Sequence, residues 1–182
     1  ADLPAGAVPA EPRLPLTVVA DSLRSAFNVG GLFRTAECFG VAEVVLCGYS
    51  PLPTQPQVAR AALGAERLVR WRYVEDIRVA LDGLKADGVW CVALETVSGA
   101  QDVAEAEWPF PCALVVGNER FGLGADVVGL CDAVVRIPLC GRKNSLNVAS
   151  AFAIAACTVR RRFDDPPLKP ARRPEAKAQV RV

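Results

Sequence analysis

The hydrophobic pattern of this chain is dominated by short continuous apolar runs separated by polar or glycine-containing segments. Leu16–Ala20 (LTVVA) and Glu43–Cys47 (EVVLC) read as strands buried on both faces. Leu68–Trp71 is a further candidate, and Val89–Leu94, Cys112–Val116 and Ala133–Ile137 are three more runs of the same kind. Helical spacing lies between them. Asn28 is placed to cap a helix through Leu32, Phe33, Ala36 and Phe39 that Gly40 stops. A loop over Gly48–Gln57 carries three prolines and leads to a short helix around Val58–Leu63. Val74, Ile77, Ala80, Leu81 and Leu84 share one helical face within Val74–Lys85, and a last helix is expected over Leu146–Arg162. Strands alternating with helices, with the strands apolar throughout, predict an α/β fold: a parallel sheet covered by helices on both faces. Ligands of such sheets bind beyond the carboxyl ends of the strands, which directs attention to the segments after Leu94, Val116 and Ile137.

Composition narrows the class. With 182 residues, 52% hydrophobic and 23% charged, the chain has enough apolar material for one globular domain and too little length for two. The longest apolar run, Leu146–Val159, has 14 residues and includes Asn147, Ser150 and Thr158. A bilayer requires about 20, so no membrane span is expected, and the N-terminus shows no secretory signal. The seven cysteines are odd in number and contain no C-x-x-C pair, the usage of a reduced, cytoplasmic protein whose thiols fill the core. Histidine is absent, which leaves little from which to build a zinc site or a Ser-His nucleophile, so no metal is expected. Residues 160–182 hold eight basic side chains against three acidic ones in an overall charge of +1. Such a basic, Pro-rich end suits contact with a polyanion and equally suits a solvated tail. The organisation expected is a flexible lead-in over 1–15, one domain over 16–162 and the basic tail over 163–182.

Three segments carry polar residues that folding alone does not require. In Asn28–Ala36 (NVGGLFRTA), Arg34 follows the proposed cap by six residues among apolar neighbours; capping, close packing and a surface arginine account for the same residues. Gly117–Gly124 (GNERFGLG) directly follows a buried strand, where glycines let backbone amides approach a ligand. It lacks the G-K-[ST] of a P-loop and the spacing of a dinucleotide fingerprint, and an ordinary strand-to-helix turn fits it too. In Ile137–Ala149 (IPLCGRKNSLNVA), Ser145 and Asn147 stand at the start of a helix, whose free N–H groups favour an anion. A plain N-cap role explains Ser145 as well.

In this order the segments closely resemble the three motifs of the SpoU/TrmH family of RNA ribose methyltransferases, within the SPOUT superfamily. The resemblance runs over roughly residues 16 to 160: N-x-x-x-x-x-R-T-A at Asn28–Ala36 followed by Phe39-Gly40-Val41, then V-G-N-E-x-x-G-L at Val116–Leu123, then I-P-x-x-G-x-x-x-S-L-N-V at Ile137–Val148. Ala61–Glu66 also looks like a family element. The resemblance implies a SPOUT fold whose C-terminal part threads a deep trefoil knot, an exception to the rule against knots. It implies S-adenosylmethionine as cofactor, RNA (tRNA or rRNA) as partner, and a homodimer with its site near the subunit interface. Carried over residue by residue, Leu94, Glu95, Gly117, Asn118, Ile137, Leu139, Leu146 and Asn147 would surround the cofactor. Asn28, Arg34, Glu119, Ser145 and Asn147 would form the polar catalytic set.

The reaction implied is in-line methyl transfer to the ribose 2′-hydroxyl, for which the protein must align two partners and manage one proton. The resemblance implies the base role for the arginine at Arg34, aided by an RNA phosphate; a guanidinium rarely gives up its proton, so a contact to that phosphate would use Arg34 more naturally. Glu119 would hold either the loop or the dimer contact. Three rivals differ in kind: a SPOUT methyltransferase acting on a base nitrogen, a non-catalytic RNA-binding dimer of the same fold, and a nicotinamide enzyme. The arginine and the S-L-N segment favour the ribose group over the first, the intact motifs argue against the second, and the missing fingerprint disfavours the third.

Overall fold

The computed structural model describes residues 13–165. In chain order its elements are β1 (Leu14–Asp21), α1 (Ala26–Cys38), β2 (Val41–Cys47), α2 (Pro56–Ala62), a 3₁₀ turn (Ala65–Arg67), β3 (Arg70–Val74), α3 (Ile77–Ala86), β4 (Trp90–Leu94), β5 (Gln101–Asp102), β6 (Cys112–Val116), α4 (Ala125–Leu130), β7 (Ala133–Arg136) and α5 (Val148–Asp164). The strands form one sheet in the order β3-β2-β1-β6-β4-β7-β5, and every pairing is parallel. β6 is buried at every position because it lies between β1 and β4 with helices over both faces.

Side chains alternate between two cores. Leu16, Val18, Val44 and Leu114 face α1, α2 and α5, where Leu32, Phe33 and Phe152 are fully buried. Val19, Val45, Ala113 and Val115 face α3 and α4, where Ile77, Leu81, Leu84 and Val127 close the second layer. Gly30 sets the spacing of α1 and α2: a Cβ there would lie 2.4 Å from that of Ala61.

Several boundaries differ from those expected. Asn28 does not cap α1. Ser25 does, its side chain accepting from the Asn28 N–H, so Asn28 is the third helical residue and is buried. Likewise α5 is capped by Asn147, whose side chain accepts from the N–H groups of Ala149 and Ser150, and not by Ser145. β3 occupies Arg70–Val74 instead of Leu68–Trp71, because β2 registers Glu43 against Arg70. As an edge strand it tolerates arginines, and Arg70 and Arg72 both pair with Glu43 at 3.3 Å. Val74 therefore belongs to the strand, and α3 starts three residues later behind its cap Asp76. The two-residue β5 and the six-residue α4 are too short to show periodicity. The folded body begins two residues before position 16 and ends two residues after 162. Most of the expected lead-in and tail lies outside the described residues. Among the described residues no helix is long and apolar enough to cross a membrane.

Candidate functional site

The direction of crossing reverses between β1 and β6. β2 and β3 lie to one side of that pair and β4, β7 and β5 to the other. The loops leaving the carboxyl ends of β1, β4, β6 and β7 gather around this switch point, the place where open α/β sheets bind ligands.

All three polar segments meet there. The Glu119 carboxylate accepts from the backbone N–H groups of Arg24 (2.8 Å) and Ser25 (3.0 Å) and from Nδ2 of Asn28 (2.7 Å). Oδ1 of Asn28 accepts from Nδ2 of Asn147 at 2.9 Å, and Asn147 in turn caps α5. One relay of side chains thus links the loop after β6, the start of α1 and the start of α5. Partial burial pushes the Glu119 pKa up, but the hydrogen bonds from Arg24, Asn28 and Ser25 outweigh it, and the carboxyl titrates below its ordinary value. Glu119 is an anion that ties two loops together. Every acceptor position it uses in this relay is engaged, which makes it a poor proton acceptor.

Beside the relay lies a cavity of about 340 Å³, within the range of small-molecule sites. Of the residues expected around a cofactor, Leu94, Glu95, Gly117, Asn118, Ile137, Leu139 and Leu146 line it, together with Glu119 and Ser145 from the polar set. Asn147, Asn28 and Arg34 do not. Asn147 and Asn28 stand behind the wall, in the relay. The two α5 amides that an anion might have used, those of Ala149 and Ser150, are taken by Asn147 itself. Arg34 follows Asn28 by six residues, which is about 9 Å along the helix axis and about 120° around it. It is therefore exposed on the outer face of α1, with no hydrogen bond or ion pair among the described residues.

Two carboxamide and carboxylate groups shape the loops of the wall. Glu95 accepts from the N–H groups of Thr96 (2.8 Å) and Leu123 (2.9 Å), pinning the far end of the Gly117–Gly124 segment to β4. Asn118, buried to 7% exposure, accepts with Oδ1 from the N–H groups of Arg120 and Phe121. The loop folds back on itself so closely that a Cβ at Gly117 would lie 2.4 Å from the carbonyl carbon of Gly122. Leu146, an apolar side chain left 42% exposed, is on the cavity wall. Apolar walls from Leu94, Ile137, Leu139 and Leu146, with a bare backbone at Gly117, fit a flat heterocycle with a short charged arm. A larger cavity of about 720 Å³ lies beyond β1, β2 and β3, but it is lined by Asp21, Glu75, Asp76 and Asp126, and of the three polar segments only Gly124 reaches it. Among the described residues no cluster of histidine, cysteine and carboxylate side chains is arranged to hold a metal ion.

Sequence reasoning missed Ser25, Tyr49, Thr96, Arg120, Phe121 and Asn144. Ser25 carried a legible signal, a serine ahead of the helix, overshadowed by the asparagine three residues on. Tyr49 gave none, since nothing local predicts that its hydroxyl meets Asn118 at 2.8 Å.

The model of the SpoU rRNA methylase family matches residues 15–157. The chain belongs to that family. A relative from Staphylococcus haemolyticus, provisionally named a TrmH family tRNA/rRNA methyltransferase, is 31% identical over 149 residues, covering 82% of this chain and 59% of that protein. The SpoU methyltransferase AviRb from Streptomyces viridochromogenes, solved in complex with the cofactor AdoMet, superposes with a TM-score of 0.78 at 25% identity, covering 85% of this chain and 63% of that one. A structure described as an RNA 2′-O ribose methyltransferase gives a TM-score of 0.75 at 29% identity, covering 88% of this chain and 62% of the other. The chain therefore spans about three fifths of the length of these relatives. In this SpoU chain the motif segments follow β1, β6 and β7.

Proposed function

We propose that this SpoU chain carries the catalytic part of an S-adenosylmethionine-dependent methyltransferase that modifies the ribose 2′-hydroxyl of tRNA or rRNA. The observation that carries the reading is the Asn147–Asn28–Glu119 relay, which joins all three motif segments beside one cavity of suitable size. Leu94, Ile137, Leu139 and Leu146 would hold the adenine and Gly117 would let the backbone approach it. When bound, the cofactor supplies a methyl group on a sulfonium, ready for in-line displacement.

The chain's own residues do the aligning. Ser145, exposed on the cavity wall, orients the ribose hydroxyl. Asn28, Glu119 and Asn147 fix the loops that carry Ser145 and Gly117, so the reacting atoms meet in one geometry. No histidine is present to take the proton, and Glu119 accepts three hydrogen bonds and titrates below its ordinary value. The Arg34 guanidinium binds an RNA phosphate next to the target, and as the methyl–sulfur bond breaks and the methyl–oxygen bond forms, the hydroxyl proton passes late in the displacement to solvent water. Because Arg34 is exposed and does not line the cavity of its own chain, the reading includes a homodimer in which Arg34 serves the site of a second copy. The deep trefoil knot of the SPOUT fold belongs to the same proposal.

The test is transfer of labelled methyl from S-adenosylmethionine to total RNA of a strain lacking the gene, followed by mass spectrometry of the nucleosides. A 2′-O-methylated nucleoside is expected with the wild-type chain and not with Arg34→Ala, while cofactor binding survives the substitution. A base-methylated product would move the protein to the nitrogen-methylating group, and full turnover by Arg34→Ala would remove the role given to that side chain.

A further inference from the structure

Two aromatic rings stand in solvent, Phe121 on the cavity wall and Tyr49 bonded to Asn118 of that wall, and folding gives no reason for either. Tyr49 is 63% exposed and Phe121 is 73% exposed, although aromatic side chains of this size bury most of their area when packing alone decides. Both hang from one buried amide. Nδ2 of Asn118 donates to the Tyr49 hydroxyl at 2.8 Å and to the Ser22 carbonyl at 2.7 Å, while Oδ1 of Asn118 accepts from the Phe121 N–H.

The backbone under Tyr49 is fixed as well. The Gly48 carbonyl accepts from the Tyr73 hydroxyl at 2.9 Å, and the buried Ser50 hydroxyl accepts from the Leu23 N–H and donates to the Cys47 carbonyl. Tyr49 is thus held at its hydroxyl and at both neighbours, with its ring left bare. On the other side the Arg120 guanidinium lies over one face of the Phe121 ring, 5.3 Å from its centroid, which couples a cation to a ring that stays 73% exposed.

We infer that Tyr49 and Phe121 are stacking platforms for unpaired nucleobases of the RNA substrate, with Arg120 on the adjoining phosphate. Rigid exposed aromatics next to a fixed cation are what single-stranded RNA uses, because every base has a π-face and each phosphate a charge. A duplex hides its base faces and gains nothing from such rings. The substrate class named is therefore RNA whose target lies in a loop, bulge or end, with the neighbouring bases splayed onto the two rings. The inference takes RNA as the partner from the proposed function, but its test does not depend on turnover.

The probe is a short oligoribonucleotide carrying one 2-aminopurine, offered to the full-length chain single-stranded and annealed to its complement. The expected result is stacking-induced quenching and tighter binding of the single strand. Tyr49→Ala should weaken that binding about ten-fold and abolish the quenching, with duplex affinity unchanged. Tyr49→Phe keeps the ring and Tyr49→Trp enlarges it, so both should retain the quenching, which a merely structural role for the hydroxyl would not allow. Phe121→Ala should behave as Tyr49→Ala does, each variant being checked for the wild-type melting temperature and oligomeric state. Absence of quenching by the wild type, or Ala variants that keep their preference for the single strand, would overturn the inference. So would loss of binding that accompanies dissociation of a dimer, since the rings would then be a subunit contact. Methyl transfer with no stacking would sink this inference alone. Stacking with no methyl transfer would sink the proposed reaction alone.

Discussion

The Asn147 amide donates to Oδ1 of Asn28 at 2.9 Å, across 119 positions of the chain. The same Asn147 side chain caps α5 through its oxygen, so one residue both ends a loop and fixes it to another helix. The two duties can be separated. Asn147→Asp keeps the accepting oxygen and loses the donor, whereas Asn147→Ala loses both. Thermal denaturation should show Asn147→Ala destabilised by about 1 kcal/mol, the usual worth of such a cap, and Asn147→Asp destabilised less. Methyl transfer should fall in both. Equal stability loss in the two variants would show that the cap is not what Asn147 contributes.

Glu119 offers a pH signature. Its folded pKa lies below the ordinary value, so its contribution to stability is fully present above the unfolded carboxyl pKa and is lost as pH falls through the folded one. Glu119→Gln should therefore be less stable than the wild type near pH 7, with the gap closing towards pH 3. Denaturant titrations at the two pH values measure this. A gap that widens in acid would contradict the hydrogen-bond assignment.

Gly117→Ala tests the closeness of the cavity loop. The added Cβ meets the backbone of Gly122 and Leu123 at 2.4 and 2.5 Å, and backbone cannot yield as a side chain can. Overpacking of this kind costs about 1–3 kcal/mol, equivalent to a loss of about 5- to 150-fold in cofactor affinity when the closed loop is the conformation that binds. Calorimetric titration with S-adenosylmethionine would detect it. Unchanged affinity would place the cofactor elsewhere.

The thiols divide by position. Cys38, Cys140 and Cys157 are exposed, while Cys47, Cys91 and Cys112 are buried. Burial pushes Cys47, Cys112 and Cys131 up to about 12 and Cys91 up to about 11, leaving almost no thiolate at neutral pH. A colorimetric thiol reagent should find three fast groups in the folded protein and all seven in denaturant. Fast reaction of a group beyond these and the half-buried Cys131 would show that a core around Cys47, Cys91 or Cys112 opens readily.

Much of this fold was legible because its strands are buried on both faces. Cys112–Val116 was read to the residue, since a continuous apolar run bounded by proline and glycine leaves few alternatives. β3 was misplaced because an edge strand with arginines on it carries no such run. Asn28 was singled out for the site but given a capping duty that Ser25 performs, and its partners Glu119 and Asn147 are 91 and 119 residues away. Long-range pairing of this kind leaves no periodic trace. The three polar segments stand out by position and composition, but roles for their residues come only through family resemblance. Their division into cavity wall, relay behind it and an outward Arg34 required coordinates.

Ribose methylation is decided by alkaline hydrolysis of RNA that the wild-type chain has labelled from methyl-tritiated S-adenosylmethionine. A methyl on the ribose 2′-oxygen blocks cleavage at the adjoining phosphodiester, so the label is expected in alkali-stable dinucleotides and should disappear with Arg34→Ala. Label recovered only in mononucleotides, on the bases, would contradict it.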